Sequence, residues 1–119
     1  MKNIQVSEFI GKEFCVASED AQKLFEYLQN ALNLEEEVIL SFKGISVIVS
    51  VFLNVAIGQL YGCFCEDKIK TYIKIKDLEQ DDDELLHRVI ENAKKYYANS
   101  KDYDEAWRKE VYTSEEQGL

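Results

Sequence analysis

The chain has 119 residues, 46% of them hydrophobic and 31% charged, which is the size and composition of one globular domain with its own core. Its formal net charge of −9 argues against a nucleic-acid-binding protein and against binding to anionic membrane surfaces, because both need a basic face. The three cysteines form no disulfide framework and the first residues resemble no secretory signal, so we expect a cytoplasmic protein with reduced thiols.

The first third of the chain predicts two short strands followed by a helix. Between residues 3 and 16 the apolar residues are interrupted at Gly11 and Lys12, which favours two strands joined by a turn. Ser18, followed by two acids, is typical of a helix start with a capping hydroxyl. The helix is predicted to extend to residue 33, and its apolar stripe consists of Ala21, Leu24, Phe25, Leu28, Ala31 and Leu32.

The centre of the chain, residues 44–65, contains no charged residue. A membrane-spanning helix needs about 20 mostly apolar residues, but here two serines, two side-chain amides and three glycines interrupt the run. The β-branched residues from Ile45 to Val49 favour a buried strand, and the spacing from Phe52 onward favours a buried helix with Ser50 as its N-cap. Residues 38–42 predict another buried strand just before it. The segment is therefore interpreted as the core of a fold.

The last part of the chain predicts one more strand and one more long helix. Residues 67–76 alternate between apolar and lysine-rich positions, which is typical of a half-exposed strand whose lysines protect a sheet edge. The acids at positions 81–84 open a helix whose apolar stripe reaches Tyr97. We predict an α/β fold, with a single layer of mixed β-sheet and about three to four helices packed on it, over residues 1–98. Residues 99–119, which include Trp107, are predicted to form a short docking helix or a frayed tail.

Few residues are candidates for catalysis or metal binding. His87, the only histidine, falls on the polar face of the last helix and is interpreted as a solvated surface residue. Cys63 and Cys65 lack the usual spacing of zinc ligands and are interpreted as small apolar fillers. The acids at 81–83 lack the spacing of a calcium loop, and no phosphate-binding glycine loop is present. We therefore expect no enzymatic activity, no metal and no cofactor.

Residues 38–58 resemble the central segment of STAS domains, the module of anti-anti-sigma factors and sulfate transporters. In that segment a buried strand is followed by a short apolar stretch, a serine-containing helix start and a buried helix. The chain is most similar to a bacterial STAS-like domain family of unknown function, in which the helix start is similar to Ser-Val-Phe-Leu-Asn at positions 50–54. The resemblance covers residues 3–98.

The resemblance implies a binding module in a partner-switching circuit. Such domains bind a protein partner, typically an ATPase of the histidine-kinase superfamily, and phosphorylation of a serine at the second helix start breaks the complex. By this resemblance, the candidate partner-binding residues are Ser50, Val51, Phe52 and Asn54, and Ser50 is the candidate phosphorylation site. The usual Asp-Ser-Ser/Thr-Gly motif aligns with residues 49–52, so the phosphorylated position falls on Val51 and Ser50 lies one place early. A capping role for Ser50 is the alternative.

Three functions remain open from the sequence. The first is a non-catalytic interaction module, monomeric or homodimeric, that binds a protein partner. The second is an acidic inhibitor that occupies a basic surface of its target, based on the acid clusters at 35–37 and 81–84. The third is a small-ligand domain, in which backbone amides at the helix start near Ser50 hold a nucleotide phosphate.

Overall fold

The computed structural model describes the backbone of residues 1–111 and the side chains of residues 1–98. Strands and helices alternate along most of the described chain. They are β1 (Lys2–Gln5), α1 (Val6–Ile10), β2 (Phe14–Cys15), α2 (Ser18–Asn33), β3 (Val38–Ser41), β4 (Val47–Ile48), α3 (Ser50–Ala56), a 3-10 helix (Gly58–Gly62), α4 (Glu66–Tyr72), β5 (Ile73–Lys76) and α5 (Gln80–Val111).

The strands form two parallel sheets. In the larger sheet the order is β1-β3-β5, so that β3 lies in the centre. Residue Leu40 of this central strand lies between Ile4 and Ile75. The smaller sheet consists of β2 and β4, with Phe14 opposite Val47. The predicted α/β class is confirmed. The prediction of one mixed sheet differs from the structure, in which the described strands form two sheets and every pairing is parallel.

One hydrophobic core joins α2, α3 and the inner face of the larger sheet. The predicted stripe of α2 is buried along its whole length, which confirms this helix. From the sheet, Val38, Leu40 and Ile73 point into the same core. From α3, Phe52 and Leu53 are fully buried. Since burial of each large apolar side chain contributes about 1.5–3 kcal/mol, this shared core holds α3 in its place.

The uncharged segment folds as short elements rather than one long helix. It contains β4, α3 and the 3-10 helix in succession, with a buried residue in each. No helix in the described part of the chain is long and apolar enough to cross a membrane. The predicted change from strand to helix within this segment is therefore confirmed.

The prediction of two strands between residues 3 and 16 is only partly right. Residues Val6–Ile10 form one helical turn between the two strands. Gly11 ends that turn in the left-handed conformation (φ 74°), where its N–H donates to the carbonyl of Ser7. Glycine adopts this conformation without the steric cost of a Cβ, and the chain can therefore turn directly into β2.

The prediction that residues 67–76 form one strand is wrong in its first half. Glu66–Tyr72 is a helix, and only Ile73–Lys76 is a strand. Buried Ile69 and Ile73 are four residues apart, a spacing that suits a helix as well as the alternation suits a strand. Glu66 and Lys70 form an i,i+4 ion pair that supports the helix. The edge position of β5, with exposed lysines, is as predicted.

Neither serine that was predicted to cap a helix does so. The N-cap residues are Ala17 for α2 and Val49 for α3, and neither makes a side-chain capping hydrogen bond. Ser18 and Ser50 are instead the first residues within their helices. The capping role of Ser50 is therefore wrong, and its hydroxyl is exposed.

The last helix begins at Gln80 and continues to Val111 without a change of secondary structure. Leu86, Val89 and Ala93 pack in its buried face. The division of the chain at residue 98 into a domain and a C-terminal segment stays a prediction. The side chain of Trp107 and all of residues 112–119 lie outside the described residues.

Candidate functional site

An exposed apolar surface covers the outer side of the small sheet. Phe14 and Val47 are opposite each other in the β2–β4 pair, and their side chains are 46% and 42% exposed. Val16, the residue directly after β2, is 44% exposed. Val51, in the first turn of α3, is 51% exposed. We call these four residues, Phe14, Val16, Val47 and Val51, the β2–β4 face.

The inner side of the small sheet anchors this surface to the core. Cys15 and Ile48 form the neighbouring pair of the register, and both are buried. Alternation along a strand places successive side chains on opposite sides, so burial of Cys15 and Ile48 forces Phe14 and Val47 outward. The exposed apolar residues are therefore held on a packed base.

Burial also makes the Cys15 thiol unreactive. Loss of water around the sulfur raises the pKa of Cys15 to about 12, with the charge of Asp20 adding to the effect. Asp20 is itself nearly buried, and its carboxylate pairs with the Lys12 ammonium at 2.7 Å. That ion pair ties the loop before β2 to the first turn of α2. Cys15 is thus a structural residue beneath the candidate surface.

The start of β4 is fixed by two contacts with the residue before β2. The backbone N–H of Ser46 donates to the carbonyl of Glu13 at 2.7 Å. The Ser46 hydroxyl donates to the Glu13 carboxylate. At the other end, the backbone N–H of Val49 donates to the carbonyl of Cys15 at 3.1 Å, just before α3 begins. These bonds bring Phe14 and Val47 together although 33 positions separate them in sequence.

The predicted site residues divide between surface and core. Ser50, Val51 and Asn54 are exposed on α3. Phe52 is fully buried, so its side chain holds the helix in place and presents no surface to a partner. The sequence prediction missed Phe14, Val16 and Val47. The alternation around Cys15 and Ile48 is the only local signal for them, and it is too short to show which side faces the core.

The other candidate residues lie apart from this surface. His87 is exposed on α5, with its Nε2 atom 3.6 Å from the Asp83 carboxylate. Cys63 and Cys65 are exposed rather than packed as fillers. Among the described residues, no cluster of three or more histidine, cysteine or acidic side chains could hold a metal ion.

Comparison with protein families identifies the chain. Residues 20–83, more than half of the 119, match the family described as STAS-like domain of unknown function (DUF4325). The matched residues run from the first turn of α2 to the first turn of α5 and include β4 and α3. Comparisons with curated proteins and with solved structures found no match. The chain therefore belongs to the STAS-like domain family of unknown function.

Proposed function

We propose that the chain is a non-catalytic interaction module that binds a regulatory protein through the β2–β4 face. The observation that carries this proposal is the position of four exposed apolar side chains around the start of α3. Single exposed apolar residues are ordinary, whereas adjacent ones often mark an interaction site. Phe14 is the aromatic residue of the surface and is suited to be its anchor.

The partner that we propose is an ATPase of the histidine-kinase superfamily. Support comes from the family resemblance, since STAS domains of partner-switching circuits bind such proteins close to the second helix start. The corresponding helix start in this chain is that of α3, next to the β2–β4 face. Burial of these apolar side chains against a protein partner removes them from water, which favours association.

Phosphorylation of Ser50 is the proposed control of this contact. Its side chain is exposed, it caps no helix, and none of the described residues forms a hydrogen bond with its hydroxyl. A phosphate would add about two negative charges beside Val51. Burial of those charges against an apolar partner surface is costly, so phosphorylation is expected to weaken binding.

The arrangement of acids gives less support to an inhibitor that mimics a polyanion. The acids at 35–37 precede β3 and thus lie at the amino ends of the parallel strands, since the Glu37 carbonyl accepts a hydrogen bond from Lys2 at the start of β1. The acids at 81–84 follow β5, at the carboxyl ends. A mimic requires contiguous acids, and these two clusters lie at opposite ends of the sheet.

The proposal is tested by recovering the partner and measuring its affinity. Full-length protein serves as bait in the native cell extract, and a recovered ATPase of the histidine-kinase superfamily is purified and titrated calorimetrically. We expect Val51→Asp and Phe14→Ala to raise the dissociation constant about tenfold or more, which is about 1.4 kcal/mol. Leu34→Asp is the matched control, because Leu34 is 60% exposed outside the surface.

Two results would contradict the proposal. One is the recovery of no such ATPase. The other is an equal loss of affinity in Leu34→Asp and Val51→Asp, since a general charge effect would then explain both. Ser50→Asp is expected to weaken partner binding, because its negative charge imitates that of a phosphate. Ser50→Ala is expected to leave the affinity for the partner unchanged. Circular dichroism of each variant verifies that it folds.

A further inference from the structure

The larger sheet has one face that no helix of the described residues covers. The register places Asn3, Ile39 and Lys74 in one outward row, and Gln5, Ser41 and Lys76 in the next. These residues are exposed or half-buried, whereas Val38, Leu40 and Ile73 of the inward rows belong to the core. Parallel sheets are usually covered on both faces. An open, mostly polar face on such a sheet therefore needs an explanation.

An open depression of about 440 Å³ lies on this face, at the carboxyl ends of the strands. The residues that line it and bear on its chemistry are Gln5, Glu8, Ser41, Lys43, Lys76 and Asp77. Small-molecule sites commonly have volumes of roughly 300–1,000 Å³. In open α/β sheets, ligands bind beyond the carboxyl ends of the strands. The depression thus has both the size and the location of a small-ligand site.

A hydrogen-bond network fixes the rim of the depression. The Ser41 hydroxyl donates to the Asp77 carboxylate at 2.5 Å and accepts from the Lys43 backbone N–H at 3.2 Å. The Lys43 carbonyl accepts from the Gln5 side-chain amide at 3.3 Å and from the Ser7 hydroxyl at 3.4 Å. Both backbone polar groups of Lys43 are therefore hydrogen-bonded. The loop is already ordered at this residue, so less conformational entropy is lost when a ligand binds.

Two lysines, Lys43 and Lys76, line the depression together with two acids, Glu8 and Asp77. Neither Lys43 nor Lys76 forms an ion pair with any side chain that the structure describes, which is also true of Lys2, Lys23, Lys74 and Lys95. Of these six lysines, only Lys43 and Lys76 line the depression. In a chain with a net charge of −9, two lysines without ion pairs in one depression favour an anionic ligand. A lysine ammonium is a common ligand of phosphate groups.

The two acidic side chains that line the depression, Asp77 and Glu8, restrict which ligands can bind there. Asp77 and Glu8 would repel a bare phosphate, so a ligand has to bring donors for their carboxylates as well. Hydroxyl groups of a sugar supply such donors. We propose that this depression binds a phosphorylated small molecule that carries sugar hydroxyls, with the phosphate between Lys43 and Lys76. The site shares no residue with the β2–β4 face and does not depend on the partner proposed above.

The test is a titration of the full-length, nitrogen-15-labelled protein monitored by amide chemical shifts. The probes are ribose phosphate, adenosine monophosphate, adenosine and inorganic phosphate. We expect both phosphorylated sugars to shift the amides of Gln5, Ser41, Lys43 and Lys76, and to bind at least about tenfold more tightly than inorganic phosphate or adenosine. Equal binding of the two phosphorylated sugars assigns recognition to the sugar phosphate, and tighter binding of adenosine monophosphate assigns part of it to the base.

Lysine variants test the geometry of the site. Lys43→Gln and Lys76→Gln are each expected to weaken ribose phosphate binding about tenfold, whereas Lys43→Arg, which keeps the charge, retains most of it. Lys23→Gln and Lys95→Gln are matched controls, because both lysines are exposed outside the depression. The proposal is overturned if neither phosphorylated sugar shifts these amides at millimolar concentration. Equal weakening by the control variants would overturn it as well, because binding would then follow net charge alone.

Discussion

The ring of Tyr97 packs directly against Gly62, so that a Cβ atom at position 62 would lie 2.5 Å from Cε1 of the ring. This contact joins the 3-10 helix to α5. Only glycine allows such a close approach, since real Cβ atoms do not come that near to a ring carbon. The half-buried position of Tyr97 also raises the pKa of its phenol, mainly through loss of water.

Gly62→Ala is therefore expected to displace the Tyr97 ring and to lower the free energy of unfolding by about 1–3 kcal/mol. The matched control is Gly58→Ala in the same 3-10 helix, where the new Cβ would meet the Ala93 Cβ at an ordinary 3.6 Å. Urea denaturation of both variants measures the difference. In Gly62→Ala the pKa of Tyr97 is expected to fall toward its usual value, as followed by NMR. Equal destabilisation by the two substitutions would show that the ring contact is unimportant.

Two neighbouring residues of α3 are expected to respond very differently to truncation. Phe52 is fully buried, and Phe52→Ala is expected to reduce the free energy of unfolding by about 3–5 kcal/mol. Val51 is 51% exposed, and Val51→Ala is expected to change the free energy of unfolding by about 0.5 kcal/mol or less. Chemical denaturation followed by circular dichroism measures both values. A large loss of stability in Val51→Ala would place that side chain in the core rather than in the β2–β4 face.

The three cysteine thiols are expected to differ in reactivity according to their burial. Cys63 and Cys65 are exposed, whereas Cys15 is buried with its pKa raised to about 12 by loss of water. Dithionitrobenzoate at pH 8 should therefore titrate two thiols in the folded protein and three in guanidinium. Cys15→Ser should leave the count in the folded protein at two. Rapid reaction of three thiols in the native state would contradict the buried position of Cys15.

The raised pKa of Cys15 also predicts a loss of stability in alkali. The folded state holds this proton more tightly than the unfolded state, whose thiol titrates near 9.0. The stability that the protonated thiol contributes is therefore fully present below about pH 9 and is lost as the pH rises toward about 12. Urea midpoints measured against pH should fall less steeply over this range in Cys15→Ala than in the native sequence.

An ion-pair cluster joins α4 to α5. The Lys94 ammonium lies 3.0 Å from the Glu66 carboxylate and 3.2 Å from that of Glu91. The hydrogen bond from Lys94, followed by that from Lys70, lowers the pKa of Glu66 below its usual value. Because the folded pKa is depressed, the stability from Glu66 is present above its unfolded pKa and is lost as the pH falls through the folded pKa.

Lys94→Gln is expected to raise the pKa of Glu66 toward its usual value, since the first contributor to the shift is removed. Lys95→Gln serves as the control, because it removes the same charge from a neighbouring exposed position. Carbon-13 NMR titration of the glutamate carboxyl groups measures the shift. If Lys95→Gln raised the pKa of Glu66 equally, long-range charge rather than the direct contact would be responsible.

Much of the fold followed from hydrophobic periodicity. Helix α2 was predicted over its full length because its stripe repeats through several turns, and that repetition gives a strong signal. The strand at Val38–Ser41 was predicted from its short continuous apolar run, and the helix that begins at Ser50 was predicted from the change to helical spacing after the β-branched residues. Short helices and strands were harder to predict from the sequence. Val6–Ile10 and Glu66–Tyr72 are too brief for a period of two to be distinguished from a period of 3.6.

The candidate site could be predicted only in part. Ser50 and Val51 were identified through the family resemblance, since they lie within one continuous segment. Phe14 was missed because it joins that segment through pairing with Val47, which is distant in the sequence. Likewise, Lys43 and Lys76 meet at one depression because β3 and β5 are parallel neighbours. No local sequence pattern indicates that Phe14 pairs with Val47 or that Lys43 and Lys76 line the same depression.

Local sequence was therefore sufficient for the α/β class, for the change from strand to helix at the centre of the chain and for the family, all of which depend on the order of apolar and polar residues. Within the uncharged run at 44–65, the change from strand to helix could be predicted on that basis, although only part of the run is buried. The three-dimensional arrangement was needed to show that Val51 faces solvent while Phe52 does not, and that one side of the parallel sheet stays open. The physical reason is that exposure depends on packing between elements distant in the chain, whereas periodicity reports only neighbours within a few turns.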